Sequence, residues 1–154
     1  MADSIREKII QNAVTRAGLI KKTNGYKTNV GTNAERALKT QDDDTTETVV
    51  ISPKHETSTK EKFGKMSHVM PLDISAAVKY DPDTETISPV SEEIYADLIK
   101  AFTRTSSIFS TFIDSITHTG GGGLEMPNNE EQFAGALATF EIKYKTALGD
   151  PEAQ

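Results

Sequence analysis

Residues 66–80 read MSHVMPLDISAAVKY, and this stretch decides the fold class of the 154-residue chain. Apolar side chains occupy every second position, with His68 as the only interruption: Met66, Met70, Leu72, Ile74, Ala76, Val78 and Tyr80. Successive side chains of a strand point to opposite faces, so this period of two predicts a long strand with one buried face. Pro71 cannot donate a hydrogen bond to a neighbouring strand and therefore predicts a bulge or an edge position.

A second alternating stretch lies near the C-terminus. It is apolar on one face over residues 134–144, and the other face carries polar side chains: Thr139, Glu141, Lys143 and Lys145. Shorter strands are predicted at residues 26–31, 49–51 and 112–119. Residues 151–154 are expected to fray, as chain ends often do.

Two main helices are predicted. Ser4 and Glu7 match a capping box, in which each side chain bonds a free backbone N–H, and the apolar spacing that follows predicts a helix over residues 4–17. Ser91, followed by two glutamates, is expected to open the second helix. The apolar face of this helix comprises Ile94, Tyr95, Leu98, Ile99 and Phe102.

The order of elements is helix, short strands, long strand, helix and two strands. This order predicts an α+β fold, in which an antiparallel sheet carries two main helices packed on one face. The length fits a single domain over residues 1–150, and no part of the sequence suggests a second core.

Composition narrows the classes of function. The formal net charge is −6, so the chain would gain little from counterion release, and sequence-specific binding of nucleic acid is not expected. Cysteine is absent, which excludes disulfides and thiolate chemistry. No stretch approaches the roughly 18 apolar residues of a membrane span, and the N-terminus lacks the pattern of a secretory signal. We therefore expect synthesis in the cytosol.

The segment 53–65 is almost entirely polar, with Phe63 as its one large apolar residue. It cannot bury much surface, so we expect a mobile loop or a hairpin arm in the free protein. Seven of its side chains are candidate assembly contacts: Lys54, His55, Glu56, Lys60, Glu61, Lys62 and Phe63. Such an arm could order against a neighbouring subunit, or it could be an ordinary solvated loop. A further polar loop is expected at residues 39–47.

A run of four glycines, Gly120–Gly123, invites comparison with a phosphate-binding loop. That motif needs a Lys followed by Ser or Thr at the start of a helix. Glu125 and Pro127 follow the glycines here, so the acidic side chain would repel phosphate and the proline disfavours a helix. A flexible hairpin or bulge is expected instead.

Neither a metal site nor a catalytic site is predicted. Four carboxylates follow part of the spacing of a calcium loop: Asp81, Asp83, Glu85 and Glu92. Thr86 stands where that loop needs Gly, which favours a carboxylate-rich helix start. The adjacent carboxylates Asp42–Asp44 are expected to stay solvated. The three histidines show no ligand spacing and no nucleophile elbow occurs, so neither a cofactor nor enzymatic activity is expected.

Several local strings occur in a fixed order along most of the chain. They are the amphipathic start 5–17, Asn24-Gly25-Tyr26-Lys27-Thr28 with Gly31, the strand 49–51, Leu72-Asp73-Ile74, the helix after Ser91, and the strand 138–146 followed by Gly149-Asp150-Pro151. In this order they resemble the tail terminator, or tail completion, proteins of long-tailed bacteriophages. The chain departs from the compact members of that family in its Ser/Thr-rich stretch 103–111 and its glycine run.

The resemblance implies a protomer that assembles as a ring, usually a hexamer, on the last ring of the tail tube. Such a ring ends tube polymerisation and offers an attachment surface on the head side. The implied partners are other copies of the chain, the tail tube protein and the head-side connector protein, and DNA would pass through the ring. The family implies no catalytic residue, and it places the protein in the virion tail or neck, and in the host cytoplasm during assembly.

Two alternatives stay open at this point. The chain could be another virion protein, such as a head-closure or tail-tube protein, which its position in the particle would distinguish. It could also be a small cytosolic binding module or enzyme unrelated to phage, which specific ligand binding by a monomer would indicate.

Overall fold

The computed structural model of the protein describes residues 2–36, 47–80, 87–104, 110–126 and 133–154. Two α-helices and six strands occur in these ranges: α1 (Ile5–Ala17), β1 (Ala34–Arg36), β2 (Glu47–Pro53), β3 (Thr57–Lys60), β4 (Lys65–Lys79), α2 (Ile87–Thr103), β5 (Ile113–Met126) and β6 (Phe133–Ala147). The predicted α+β class is confirmed. The polar loop expected before Glu47 lies mainly outside the described residues.

The six strands form one sheet in the order β1–β2–β4–β6–β5, and β3 also pairs with β4. Four of the five strand pairs are antiparallel, whereas β1 pairs with β2 in parallel. The sheet is therefore mixed, and the expectation of an antiparallel sheet needs this correction. Three residues of β1 are too few for a periodic signal, so the sequence did not indicate the added strand.

The long strand predicted around residues 66–80 is confirmed as β4, which pairs with β6 along its whole length. Pro71 faces an interruption in the neighbouring strand, as expected, because residues 54–56 separate β2 from β3 at this point. Lys54 still donates its backbone N–H to the Pro71 carbonyl at 2.9 Å. The missing donor of the proline therefore leaves the β4–β6 ladder intact.

The core lies between one face of the sheet and the two helices. Buried side chains of β4 and β6 share one parity, as predicted, and they include Leu72, Ile74 and Phe140. Ile9 of α1 and Leu98 of α2 belong to the same buried cluster. The apolar stripe of each helix therefore covers the sheet face that the period of two predicts.

The two helix starts differ in how well the sequence predicts them. Ser4 accepts a hydrogen bond from the Glu7 backbone N–H at 3.1 Å, which confirms the cap of α1. Helix α2 begins at Ile87, so the prediction that Ser91 opens it is wrong, and Ser91 is buried inside the helix. Pro89 did not prevent this earlier start, because a proline in the first helical turn removes an N–H that has no helical acceptor.

The strand predicted at residues 26–31 does not form. A buried carboxylate explains the difference: Asp97 of α2 accepts hydrogen bonds from the backbone N–H groups of Lys27 and Thr28 and from the Thr28 hydroxyl. These bonds take the donors that a strand would use, and a 3₁₀ turn (Val30–Asn33) follows. Asn24-Gly25 is a pair typical of turns, and the chain turns here, with Gly25 at a φ of 85°.

The glycine run is part of β5, which extends the strand predicted at 112–119 to Met126. The register shifts between His118 and Gly120, so of the two expected alternatives, a hairpin or a bulge, the bulge is present. Gly121 has a φ of 133°, and a Cβ placed there would lie 2.0 Å from the Leu137 carbonyl oxygen. Close packing against β6 therefore requires glycine at this position. Pro127-Asn128-Asn129 predicts a polar turn, which lies outside the described residues.

Residues 151–154, where fraying is expected, make hydrogen bonds to the rest of the fold in this structure. Ile5 donates its backbone N–H to the Pro151 carbonyl at 2.8 Å, and Ala147 donates to the Ala153 carbonyl at 2.8 Å. The Gln154 side chain donates to the Phe112 carbonyl. The end of the chain is thus bonded to α1, β6 and the residue before β5.

Substitution within the glycine run tests whether the run is structural. Gly121→Ala should destabilise the protein by about 2–4 kcal/mol, since it combines a positive φ with a clash against backbone. Gly122→Ala is the matched control, because a Cβ there meets no atom within 4 Å, and it should leave stability nearly unchanged. Urea unfolding followed by circular dichroism measures both. Equal stability of the two variants would contradict a structural role for Gly121.

Candidate functional site

The predicted polar segment forms a hairpin arm, which we define as residues 54–65. Strand β3 of the arm pairs antiparallel with residues 66–69 of β4, and all four side chains of β3 are exposed. Backbone pairing, not a core, therefore holds the arm on the sheet. Its mobility in the free protein stays a prediction.

The arm ends in a tight turn, the arm tip, made by residues 62–64. Glu61 closes the turn by donating its backbone N–H to the Lys65 carbonyl at 2.8 Å. Phe63 is 98% exposed and has a φ of 62°, which is uncommon for a residue other than glycine. Leu148 lies beside it, since its N–H donates to the Gly64 carbonyl at 2.7 Å, and it is 48% exposed. Two residues with exposed apolar side chains therefore lie near each other in the backbone at this end of the sheet.

Basic side chains surround the arm tip. Lys60, Lys62 and Lys65 lie within the arm, and Lys145 of β6 forms an ion pair with Glu61 at 3.1 Å. A hydrogen bond from the Ser67 hydroxyl and one from Lys145 hold the pKa of Glu61 below its ordinary value. The bonding partners of Glu61 thus lie in its own subunit, whereas the exposed lysines and Phe63 face solvent.

The base of the arm is fixed by Glu56, one of the candidate assembly contacts. Its carboxylate lies 3.0 Å from the Arg6 guanidinium of α1 and also accepts a hydrogen bond from the Tyr144 hydroxyl. Arg6 donates a second bond to the Lys54 carbonyl at 2.8 Å. Burial, and then the bond to Glu56, raise the pKa of Tyr144. Glu56 is therefore an internal anchor.

The other two predicted contacts at the base are exposed. Lys54 approaches Asp73 of β4 at 3.5 Å, an exposed pair of little energetic value. His55, Lys54, Pro53 and Arg6 line a shallow open depression beside the anchor. The structure thus divides the seven predicted contacts into a base, where Glu56 is engaged, and a tip, where Phe63 is free of the core.

His68 has neighbours that superficially suggest a catalytic triad. Its Nδ1 lies 2.7 Å from the Ser58 hydroxyl and its Nε2 lies 2.8 Å from the Thr146 hydroxyl. Glu56 is 3.8 Å from Nδ1, the same nitrogen that bonds Ser58, whereas a triad places the acid and the nucleophile on opposite nitrogens. Thr146, on the other nitrogen, is buried, so substrate cannot reach it.

His68 is therefore part of the arm's attachment. Its ring stacks on Tyr144 at 4.7 Å, and it connects β3 to β4 and β6. His118 has an equally structural environment, because its Nε2 bonds the Tyr95 hydroxyl at 3.0 Å and its ring packs on Phe140. Both histidines therefore hold structural positions between neighbouring elements.

Within the described ranges, no group of three or more His, Cys, Asp or Glu side chains could hold a metal ion. The candidate ligands Asp42–Asp44, Asp81, Asp83 and Glu85 lie outside those ranges, as do residues 105–109 of the Ser/Thr-rich stretch. Asp73 and Glu141 each approach a lysine on the sheet face away from the helices.

Sequence reasoning missed three residues of this region. Arg6 and Tyr144 hold Glu56 although they lie 50 and 88 positions from it in the chain, so no local pattern signals the contact. Leu148 follows the end of β6 and is apolar where a polar turn is usual, which is the one signal that could have been used.

A scan of the sequence against models of known protein families finds no match, and a search of curated proteins finds none either. The resemblance to tail terminator proteins therefore stays a prediction. None of the described helices is long and apolar enough to cross a membrane.

Removing one hydroxyl tests the anchor at the arm base. Tyr144→Phe should cost about 2 kcal/mol of folding free energy, because the partly buried Glu56 carboxylate loses a donor. Tyr26→Phe is the matched control, since the Tyr26 hydroxyl has no hydrogen-bond partner among the described residues, and it should be nearly neutral. Urea unfolding at neutral pH measures both variants.

The same anchor predicts a dependence on alkaline pH. A raised pKa means that the folded protein favours the neutral Tyr144 phenol, so this stability is fully present below the ordinary value of 10.0. It should be lost as the pH rises above that value. Tyr144→Phe should not show this loss of stability at high pH. If the variant lost as much stability at high pH as the natural chain, the effect could not be assigned to Tyr144.

Proposed function

We propose that this protein is a structural virion protein without enzymatic activity, which caps the tail tube as a ring of identical subunits. In this role it ends tube polymerisation and offers the head-side attachment surface. The observation that supports the proposal best is the hairpin arm, which is anchored at its base by Glu56 and ends in a fully exposed Phe63. The resemblance of the sequence to tail terminator proteins supplies the place in the particle.

The exposed arm tip has a free-energy cost, part of which contact with a partner would recover. Leaving a phenylalanine in water forgoes roughly 1.5–3 kcal/mol of burial. The positive φ of Phe63 adds strain of about 1–2 kcal/mol relative to ordinary conformations. Both costs fall on one residue, and the neighbouring Leu148 extends the apolar surface. A partner that buries Phe63 would recover the first cost, so the tip is suited to docking.

Charge favours another copy of this chain as that partner. The arm contains four lysines and two glutamates, a formal charge of +2, which leaves −8 for the rest of a chain whose total is −6. A basic arm with an apolar tip therefore complements the acidic remainder of a neighbouring subunit. Contacts of this head-to-tail kind close into rings when the rotation between copies permits.

Electron microscopy of tails assembled with and without the protein tests the proposed role. Overlong, uncapped tubes in its absence, restored to uniform length when it is added back, are the expected result. Uniform tails that fail to join heads would instead assign the protein to a connector role. Particles that form normally without it would overturn a role in the virion.

A substitution at Phe63 tests the contribution of the arm tip separately. Phe63→Asn removes the exposed ring and places a residue that tolerates positive φ, so folding stability should be equal or slightly higher. Assembly onto tubes should nevertheless weaken by roughly tenfold or more, because the buried ring is lost. Leu19→Asn is the control, since Leu19 is 45% exposed in the turn that follows α1. Equal assembly by both variants would contradict docking through the tip.

A further inference from the structure

Within the part of the chain that the structure describes, the sheet ends at β1 on one side and at β5 on the other, and β3 is a further edge strand on the β1 side. Strand β5 is the last strand on one side and pairs with β6 alone. Strand β3 pairs with β4 alone, and its other side carries no strand among the described residues. Each edge presents backbone N–H and C=O groups that a further strand could bond.

The outward-facing backbone groups of β3 can be assigned. Glu61 bonds Lys65 across the turn, and hydrogen-bonded pairs alternate with unbonded pairs along an antiparallel ladder. Pairs 59–67 and 57–69 are therefore the bonded ones. It follows that Ser58 and Lys60 direct their backbone groups away from β4, toward the free edge.

The same alternation assigns the free edge of β5. Leu148 bonds Gly64, which makes the even-numbered residues of β6 bond β4 and the odd-numbered residues bond β5. Ser115 and Thr117 face odd-numbered residues of β6, so they use their backbone groups inside the sheet. Ile116 and His118 direct theirs outward. Register shifts bound this regular segment on both sides.

The two edges run in opposite directions. Strand β3 is antiparallel to β4, β4 to β6, and β6 to β5, so β3 and β5 point opposite ways at opposite sides of one sheet. A rotation about a ring axis carries each copy onto the next without inverting it. The β3 edge of one copy therefore meets the β5 edge of the next in the antiparallel sense.

One register of β3 against β5 pairs the outward-facing backbone groups of both strands. Pairing residue 58 with 118 and residue 60 with 116 joins the outward-facing groups of the two strands within the regular part of β5. It also places the exposed side chains of Thr59 and Thr117 opposite each other on the sheet face away from the helices. Beyond the paired residues, Lys62 in the arm-tip turn comes near the bulge of β5 at Asp114, which is exposed and has no ion pair among the described residues.

We propose that β3 of one copy adds to β5 of a second copy, through residues 57–60 and 116–119, so that one antiparallel sheet continues from subunit to subunit. This inference rests on the ring assembly proposed above and specifies its interface. Neighbouring copies are staggered by a few residues in this register, as closed sheets of tilted strands require.

Engineered cysteines test the pairing cleanly because the chain has no cysteine of its own. Purified protein carrying both Thr59→Cys and Thr117→Cys should oxidise to a ladder of covalent oligomers, since the two positions lie on opposite edges of one subunit. An equal mixture of the two single variants should give covalent dimers only. Thr59→Cys combined with Thr15→Cys, an exposed position on α1, is the control for random collision.

Each result has a defined meaning. Oxidation of the 59/117 variant no faster than that of the 59/15 control would overturn the proposal. Covalent dimers of Thr117→Cys alone would also overturn it, because they would show β5 pairing with β5. A ladder from the purified protein, together with tails that assemble normally without the protein, would sustain the edge pairing while refuting the tube-capping role.

Charge exchange gives an independent measurement without disulfides. Lys62→Glu and Asp114→Lys should each weaken association by roughly tenfold or more, through like charges at the contact. An equal mixture of these two variants restores opposite charges at every interface of an alternating ring, so it should assemble like the natural chain in sedimentation experiments. A mixture as weak as the separate variants would contradict the register.

Discussion

Fifteen residues of β4 pair with fifteen of β6 without a register shift, and the rest of the structure depends on this ladder. It fixes which side chains face the helices: a slip by one residue would turn Leu72 and Phe140 toward solvent and empty the core. The ladder is also longer than the core needs. At the outer end of the ladder, from Lys65 to Val69, β4 also bears the hairpin arm on its other side. The central strands therefore set the position of the arm.

The sequence predicted the elements whose signals are local. The alternation in β4 and β6 exists because each is buried on one face, and the cap of α1 needs only Ser4 and Glu7. Predictions failed where a distant group decides the conformation. Hydrogen bonds to Asp97 prevent residues 27–28 from forming a strand. The run of glycines resembles a linker in the sequence, but the close approach of Leu137 means that the sheet requires glycine there.

The same distinction applies to the candidate site. Phe63 stood out in the sequence as the one large apolar residue of a polar segment, and the structure leaves it exposed. Glu56 looked like its solvated neighbours, yet Arg6 and Tyr144 engage it. No pattern within the segment distinguishes the two glutamates of the arm. The difference arises from tertiary contacts, which engage Glu56 at the base of the arm and leave Phe63 exposed at its tip.

The bond between the Ile5 N–H and the Pro151 carbonyl joins the two ends of the described fold. Polypeptide that precedes α1 and polypeptide that follows β6 therefore leave the molecule from one place. A short linker could connect them, and the chain could then be reopened in a surface loop as a circular permutant. Fluorescent labels attached at either end would report on the same region of an assembled particle.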